Sequence, residues 1–171
     1  MKIFIIRYAL LSAFSLSLSV NVFSQIPAQV MPEFQFLKRD KTIFANKDVA
    51  LGKMTFFGFF DVDCDHCQKA IKNIEQQYPY LRQVYMCLIS TGAFDKMDGF
   101  LRKYAPALQN KRNVEVLQDN LNQFISKFKP YRYPAMFLYS SEKKLLDYED
   151  NEESVFRFTT IIKNQSQKNK R

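Results

Sequence analysis

The stretch Met54-Thr55-Phe56-Phe57-Gly58-Phe59-Phe60-Asp61-Val62-Asp63-Cys64-Asp65-His66-Cys67 decides the fold. Its apolar first half is too short to cross a membrane and suits a strand covered on both faces of a sheet. The cysteines then open a helix expected over residues 64–77, with Ala70, Ile71 and Ile74 at helical spacing and Pro79 beyond its end. Two cysteines at this spacing can close a small disulfide ring. At a helix N-terminus, unpaired N–H groups and the positive dipole end favour a Cys64 thiolate. The pattern suits thiol–disulfide exchange, with Cys64 attacking a substrate disulfide and Cys67 resolving the mixed disulfide. His66 would supply a tunable positive charge beside the pair. Asp61, Asp63 and Asp65 would oppose the thiolate as like charges, and Asp63 equally suits a helix cap.

Composition narrows the chemistry further. The 171 residues are 47% hydrophobic and 25% charged, the profile of a folded domain. At roughly 150 residues per domain, one domain is expected. His66 is the single histidine, and there is no tryptophan. A multi-histidine metal site is therefore excluded, and any Ser-His-Asp or Cys-His triad would run through His66. Three cysteines are too few for a disulfide-stapled scaffold. A zinc site would need four ligands, and beyond the pair the chain offers Cys87, His66 and carboxylates. A purely structural disulfide would close a small loop and constrain the unfolded chain little. Both remain competing readings of the pair, as does a metal-binding or metallochaperone module using Cys64, Cys67 and His66. Cys87, inside an apolar strand, reads as a buried structural cysteine.

Outward from this centre, Phe34-Gln35-Phe36 and Thr42-Ile43-Phe44 predict a short N-terminal hairpin. Downstream, strands are expected at residues 83–90, 114–117, 134–139 and 145–148, and helices at 94–104, 121–128 and 154–163. The order is that of one α/β sheet with helices on its faces and a terminal hairpin. Residues 1–24 read as a signal peptide, with Lys2 and Arg7 before the apolar stretch 8–20 and Val22 and Ser24 before a cleavage site. That stretch falls short of the roughly 20 residues that span a bilayer. Residues 25–33 read as a linker, 34–163 as the domain, and 164–171 as a basic flexible tail. Export would place the protein in an extracytoplasmic, periplasmic compartment where disulfides persist. The membrane would be a partner only if the signal segment were retained. Cleavage would lower the net charge from +8 to +6, and the remaining basic residues are scattered. No clustered stripe for nucleic acid is present.

The buried strand, Cys64-Asp65-His66-Cys67 at a helix start, and Tyr133-Pro134 before a later apolar strand together resemble the thioredoxin superfamily. The export signal and the extra helix–strand between motif and proline make the chain most similar to the extracytoplasmic TlpA/ResA-like branch. The resemblance covers residues 34–163. It implies an α/β thioredoxin-like fold, a central mixed β-sheet flanked by helices, with the short N-terminal hairpin added. It also implies an exported thiol–disulfide oxidoreductase with no cofactor beyond the redox-active Cys64–Cys67 disulfide. Its partners would be disulfide- or thiol-bearing protein substrates and an electron-donor protein. Pro134 would be the cis-proline facing the cysteines, with the Tyr133 backbone pairing with an extended substrate. The resemblance and the acidic surroundings imply the reducing direction. A histidine before the second cysteine also occurs in oxidising and isomerising relatives, so a disulfide oxidase or isomerase is the alternative. Two features depart from thioredoxin: Gly58 stands where the buried carboxylate would be, and Asp63 where tryptophan is usual.

Overall fold

The structure is a computed structural model that describes residues 26–50 and 52–168. The expected signal peptide and the last three residues of the tail lie outside the described residues. Seven strands form one sheet: β1 (Gln35–Leu37), β2 (Ile43–Ala45), β3 (Thr55–Phe59), β4 (Tyr85–Ser90), β5 (Val114–Gln118), β6 (Ala135–Tyr139) and β7 (Leu145–Glu149), in the order β2-β1-β5-β4-β3-β6-β7. β3, β4 and β5 run parallel, while β6 pairs antiparallel with both β3 and β7. The hairpin β1–β2 forms with Phe36 opposite Phe44, and β1 closes onto β5. The helices are α1 (Asp65–Leu81), α2 (Phe94–Tyr104), α3 (Gln123–Phe128) and α4 (Val155–Lys168). This is the mixed α/β sheet of a thioredoxin-like fold.

Strand alternation sorts the core into two layers. Phe56, Met86, Leu88, Met136 and Leu138 face Ile71 and Ile74 of α1, Met97 and Phe100 of α2, and Phe158 of α4. Phe57, Phe59, Cys87, Phe137 and Tyr139 face the second layer, built from Phe34, Phe36, Phe44 and the α3 residues Phe124 and Phe128. Phenylalanine dominates this layer, with Phe59 stacked on Phe124 at 4.1 Å and Phe124 on Phe128 at 4.3 Å between centroids.

Several boundaries differ from the sequence expectation, each for a physical reason. α1 continues through Pro79 to Leu81. Proline forfeits the hydrogen bond to the Glu75 carbonyl, but Arg82 still donates to the Tyr78 carbonyl at 2.9 Å and Leu81 is fully buried. α3 begins at Gln123 instead of residue 121. Buried Asp119 accepts the N–H groups of Gln123 (2.9 Å) and Phe124 (2.8 Å), while Asn122 is left-handed. α4 runs past Lys163 to Lys168, with Ser166 donating to Gln83 at 2.8 Å. Residues 28–31 lie along the sheet: Ala28 N–H donates to Phe128, Met31 N–H to Lys143, and Tyr139 Oη to the Ala28 carbonyl.

Candidate functional site

β3 delivers the chain to the end of the sheet, where Phe60 N–H donates to the Ile89 carbonyl at 2.9 Å. Residues 61–63 form a tight turn. The Asp61 carboxylate accepts the Asp63 N–H (2.9 Å), and the Asp61 carbonyl accepts the Cys64 N–H (3.3 Å). Cys64 itself caps α1 in extended geometry, its sulfur accepting the Cys67 N–H at 3.3 Å. Asp63 is therefore not the cap. It is exposed, and its N–H is spent on Asp61. Asp65 lies in the first turn, complements the helix dipole and accepts from Gln68 Nε2 at 3.0 Å.

The two thiols differ in surroundings. Cys64 is half-buried, whereas Cys67 is fully buried and accepts the Asp61 N–H at its sulfur (3.4 Å). Burial, reinforced by the contact with Cys64, pushes the Cys67 thiol well above its ordinary value. Cys87 is also fully buried, and burial raises its thiol strongly. It packs in the opposite layer of the sheet from Cys67, so it belongs to the core and not to the pair.

On the facing side, the Tyr133–Pro134 peptide bond is cis. The Phe59–Ala135 pairing sets Pro134 beside the end of β3, from which the cysteine turn leaves. The Tyr133 ring stacks on Phe59 at 5.0 Å. Its phenol is raised first by burial, then by the charges of Asp61 and Cys67. His66 is 67% exposed and turns to Glu152, with Nδ1 2.9 Å from Oε1. His66, Arg132, Tyr133, Asp150 and Glu152 line one cleft.

Thus the structure gathers Cys64, Cys67, Asp61, Tyr133 and Pro134 at the carboxyl end of β3, while Asp63 and Asp65 stand outward. Glu152, Asn73 and Asp119 were missed in the sequence. Nothing local marks them, because each acts on a residue brought near by folding or on backbone N–H groups. Among the described residues, no group of three or more His, Cys, Asp or Glu side chains is arranged to hold a metal ion. Likewise, no described helix is long and apolar enough to cross a membrane.

A dithiol opening the first long helix after a central strand, with a cis-proline at the same end of the sheet, completes a thioredoxin-like fold. No protein-family model matches the chain, and no curated protein matches it. Among solved structures it is similar to a SCO1/SenC family lipoprotein from Bacillus anthracis str. Ames, with TM-score 0.62 and 17% identity over 82% of this chain and 96% of that one. It is similar too to the thioredoxin domain of a thiol-disulfide oxidoreductase from Bacteroides vulgatus, with TM-score 0.59 and 17% identity over 80% and 99%. A third is a secreted Mycobacterium tuberculosis disulfide oxidoreductase homologous to E. coli DsbE, with TM-score 0.58 and 18% identity over 75% and 95%. At these identities the likeness establishes the fold.

Proposed function

We propose that this protein is an extracytoplasmic thiol–disulfide oxidoreductase acting on protein substrates through Cys64 and Cys67. The observation that carries the reading is the asymmetry of the pair at the start of α1. Cys64 is only half-buried and its sulfur accepts a helix N–H, while Cys67 is fully buried. The Cys64 thiolate bonds to one sulfur of a substrate disulfide and releases the other. Cys67 then loses its proton, bonds to Cys64 and frees the remaining substrate sulfur. Tyr133 and Pro134 lie at the end of β3 from which the cysteine turn leaves, and an extended substrate segment would lie along the Tyr133 backbone. The charge of Asp61 supports the reducing direction, because it adds to the burial that raises the Cys67 thiol and so weakens the reduced enzyme's hold on electrons. The secreted and lipoprotein character named for two similar structures supports export, together with the signal-like residues 1–24.

A trapping experiment tests this reading. Cys67→Ser should leave protein partners attached to Cys64 as mixed disulfides that dithiothreitol releases, whereas Cys64→Ser should trap none. Equal trapping by Cys64→Ser, with none by Cys67→Ser, reverses the assignment of nucleophile and resolver.

A further inference from the structure

Three residues on one face of α1 converge on a single residue from the far end of the chain. His66 Nδ1 lies 2.9 Å from Glu152 Oε1, and Lys69 Nζ lies 3.8 Å from the same oxygen. Asn73 Nδ2 donates to the Glu152 backbone carbonyl at 2.8 Å. Spacings of three and four residues bring these side chains to one stripe of the helix. Glu152 sits in a one-turn 3-10 helix spanning Glu152–Ser154, started by Asn151, whose Oδ1 accepts the Glu153 N–H at 3.0 Å. The carboxylate is 15% exposed and the imidazole 67%. The acid is packed in place and the ring is presented.

Neighbouring acids are engaged elsewhere. Asp65 accepts from Gln68, while Asp150 accepts from Arg132 at 3.1 Å and from Tyr148 Oη at 3.3 Å. The His66 hydrogen bond also holds the Glu152 carboxyl below the usual carboxylate range. A neutral imidazole whose Nδ1 faces a carboxylate oxygen carries its proton on Nδ1, which leaves Nε2 as the acceptor. Nε2 has no hydrogen-bond partner among the described residues.

We propose that Glu152 is a positioning residue of the dithiol centre: by holding His66 Nδ1 it fixes the ring and its tautomer, so that Nε2 exchanges protons with the sulfurs reacting at Cys64. The inference rests on the oxidoreductase reading of the Cys64–Cys67 pair. In the assisted step, Nε2 accepts the Cys64 thiol proton and the Cys64 sulfur bonds to one sulfur of the substrate disulfide. The substrate S–S bond breaks, and the displaced sulfur leaves with the electron pair and takes the proton from Nε2. After Cys67 closes the internal disulfide, the substrate has gained two electrons and two protons, and Cys64 and Cys67 have lost them.

The test is a double-mutant cycle on the purified protein, with insulin as the disulfide substrate. Glu152→Ala retains the backbone carbonyl that Asn73 holds. It should slow reduction by about three- to tenfold, part of the gain usual for a positioned acid–base group. In a His66→Ala background the same change should have almost no further effect. Nitrogen-15 NMR of neutral His66 should show the Nδ1–H tautomer in the wild type and its loss in Glu152→Ala. Equal slowing in both backgrounds, or an unchanged rate and tautomer in Glu152→Ala, overturns the proposal while leaving the oxidoreductase reading intact. A folded wild-type protein that reduces no disulfide overturns the oxidoreductase reading and the inference with it.

Discussion

Cys67 donates its backbone N–H to the sulfur of Cys64 across 3.3 Å, while its own sulfur is wholly buried. The first residue of the pair is thus stabilised by the backbone of the second. The second is kept protonated by its burial. The difference in surroundings follows from placement: Cys64 stands at the cap, and Cys67 lies in the first turn, facing the apolar layer under the sheet.

Modification should therefore be ordered. In the reduced protein near neutral pH, iodoacetamide should label Cys64 at least about tenfold faster than Cys67 or Cys87, because both of those thiols are fully buried. Burial raises the Cys67 and Cys87 thiols, so both stay protonated in this range. Peptide mass spectrometry over a labelling time course reads the order. Early labelling of Cys67 would contradict the structure.

The proposed reducing direction carries a prediction for the redox balance. Equilibration with glutathione should give a reduction potential more negative than about −200 mV, on the reducing side of the range for such proteins. Asp61→Asn removes a negative charge that acts on the pair and should raise the potential by roughly 10–30 mV, less at high salt. A wild-type potential near the about −120 mV of a strong oxidant overturns the reductase direction.

Gly58 marks where the thioredoxin resemblance places a buried carboxylate, and here there is no room for one. A Cβ at this position would lie 3.1 Å from Leu88 Cδ2 and 3.3 Å from Phe56 Cε1. Gly58→Ala should cost about 1–3 kcal/mol by overpacking. Gly58→Asp should cost more, since its carboxylate would have no partner among these apolar neighbours. Urea denaturation measures both. A Gly58→Asp protein as stable as the wild type would show that the layer between β3 and α1 has space the structure does not show.

The sequence made the centre of the molecule legible because its signals are local. The aromatic run of β3, the cysteine spacing and the stripe Ala70-Ile71-Ile74 each follow from neighbours within two helical turns. The same holds for the hairpins. What escaped depends on partners distant in sequence. Pro79 suggests a helix end, yet the burial of Leu81 carries α1 beyond it. Glu152 resembles any acid before a final helix, and only folding brings it to His66 across 86 residues. Residues 28–31 carry no strand pattern, but the sheet supplies their hydrogen-bond partners.

Asp119 shows how much one such residue holds. It is 1% exposed, and its two oxygens take the first N–H groups of α3, a helix too short to persist alone. Asp119→Ala should cost about 1–2 kcal/mol or more for the lost cap. The loss should spread to the aromatic layer through Phe124 and Phe128. Asp119→Asn keeps an acceptor oxygen and should cost less. Denaturation midpoints together with near-ultraviolet dichroism of the aromatic layer check this, and equal stability of Asp119→Ala and wild type would count against it.

The His66–Glu152 contact also predicts how stability depends on pH. Glu152 is held below the usual carboxylate range, first by the His66 hydrogen bond and then by its own backbone N–H. A carboxyl depressed on folding stabilises the native state fully above its unfolded value, about 4.3, and loses that contribution as pH falls through the folded value. The contact lies near the surface, so its worth is that of a screened pair, about 0.5 kcal/mol. For a domain of this size that is about 1–2 °C in Tm. Calorimetry of wild type and His66→Ala should therefore show a small Tm gap near neutral pH that shrinks below about pH 4. A gap that stays constant down to pH 3 would mean that His66 contributes by packing, without the carboxylate.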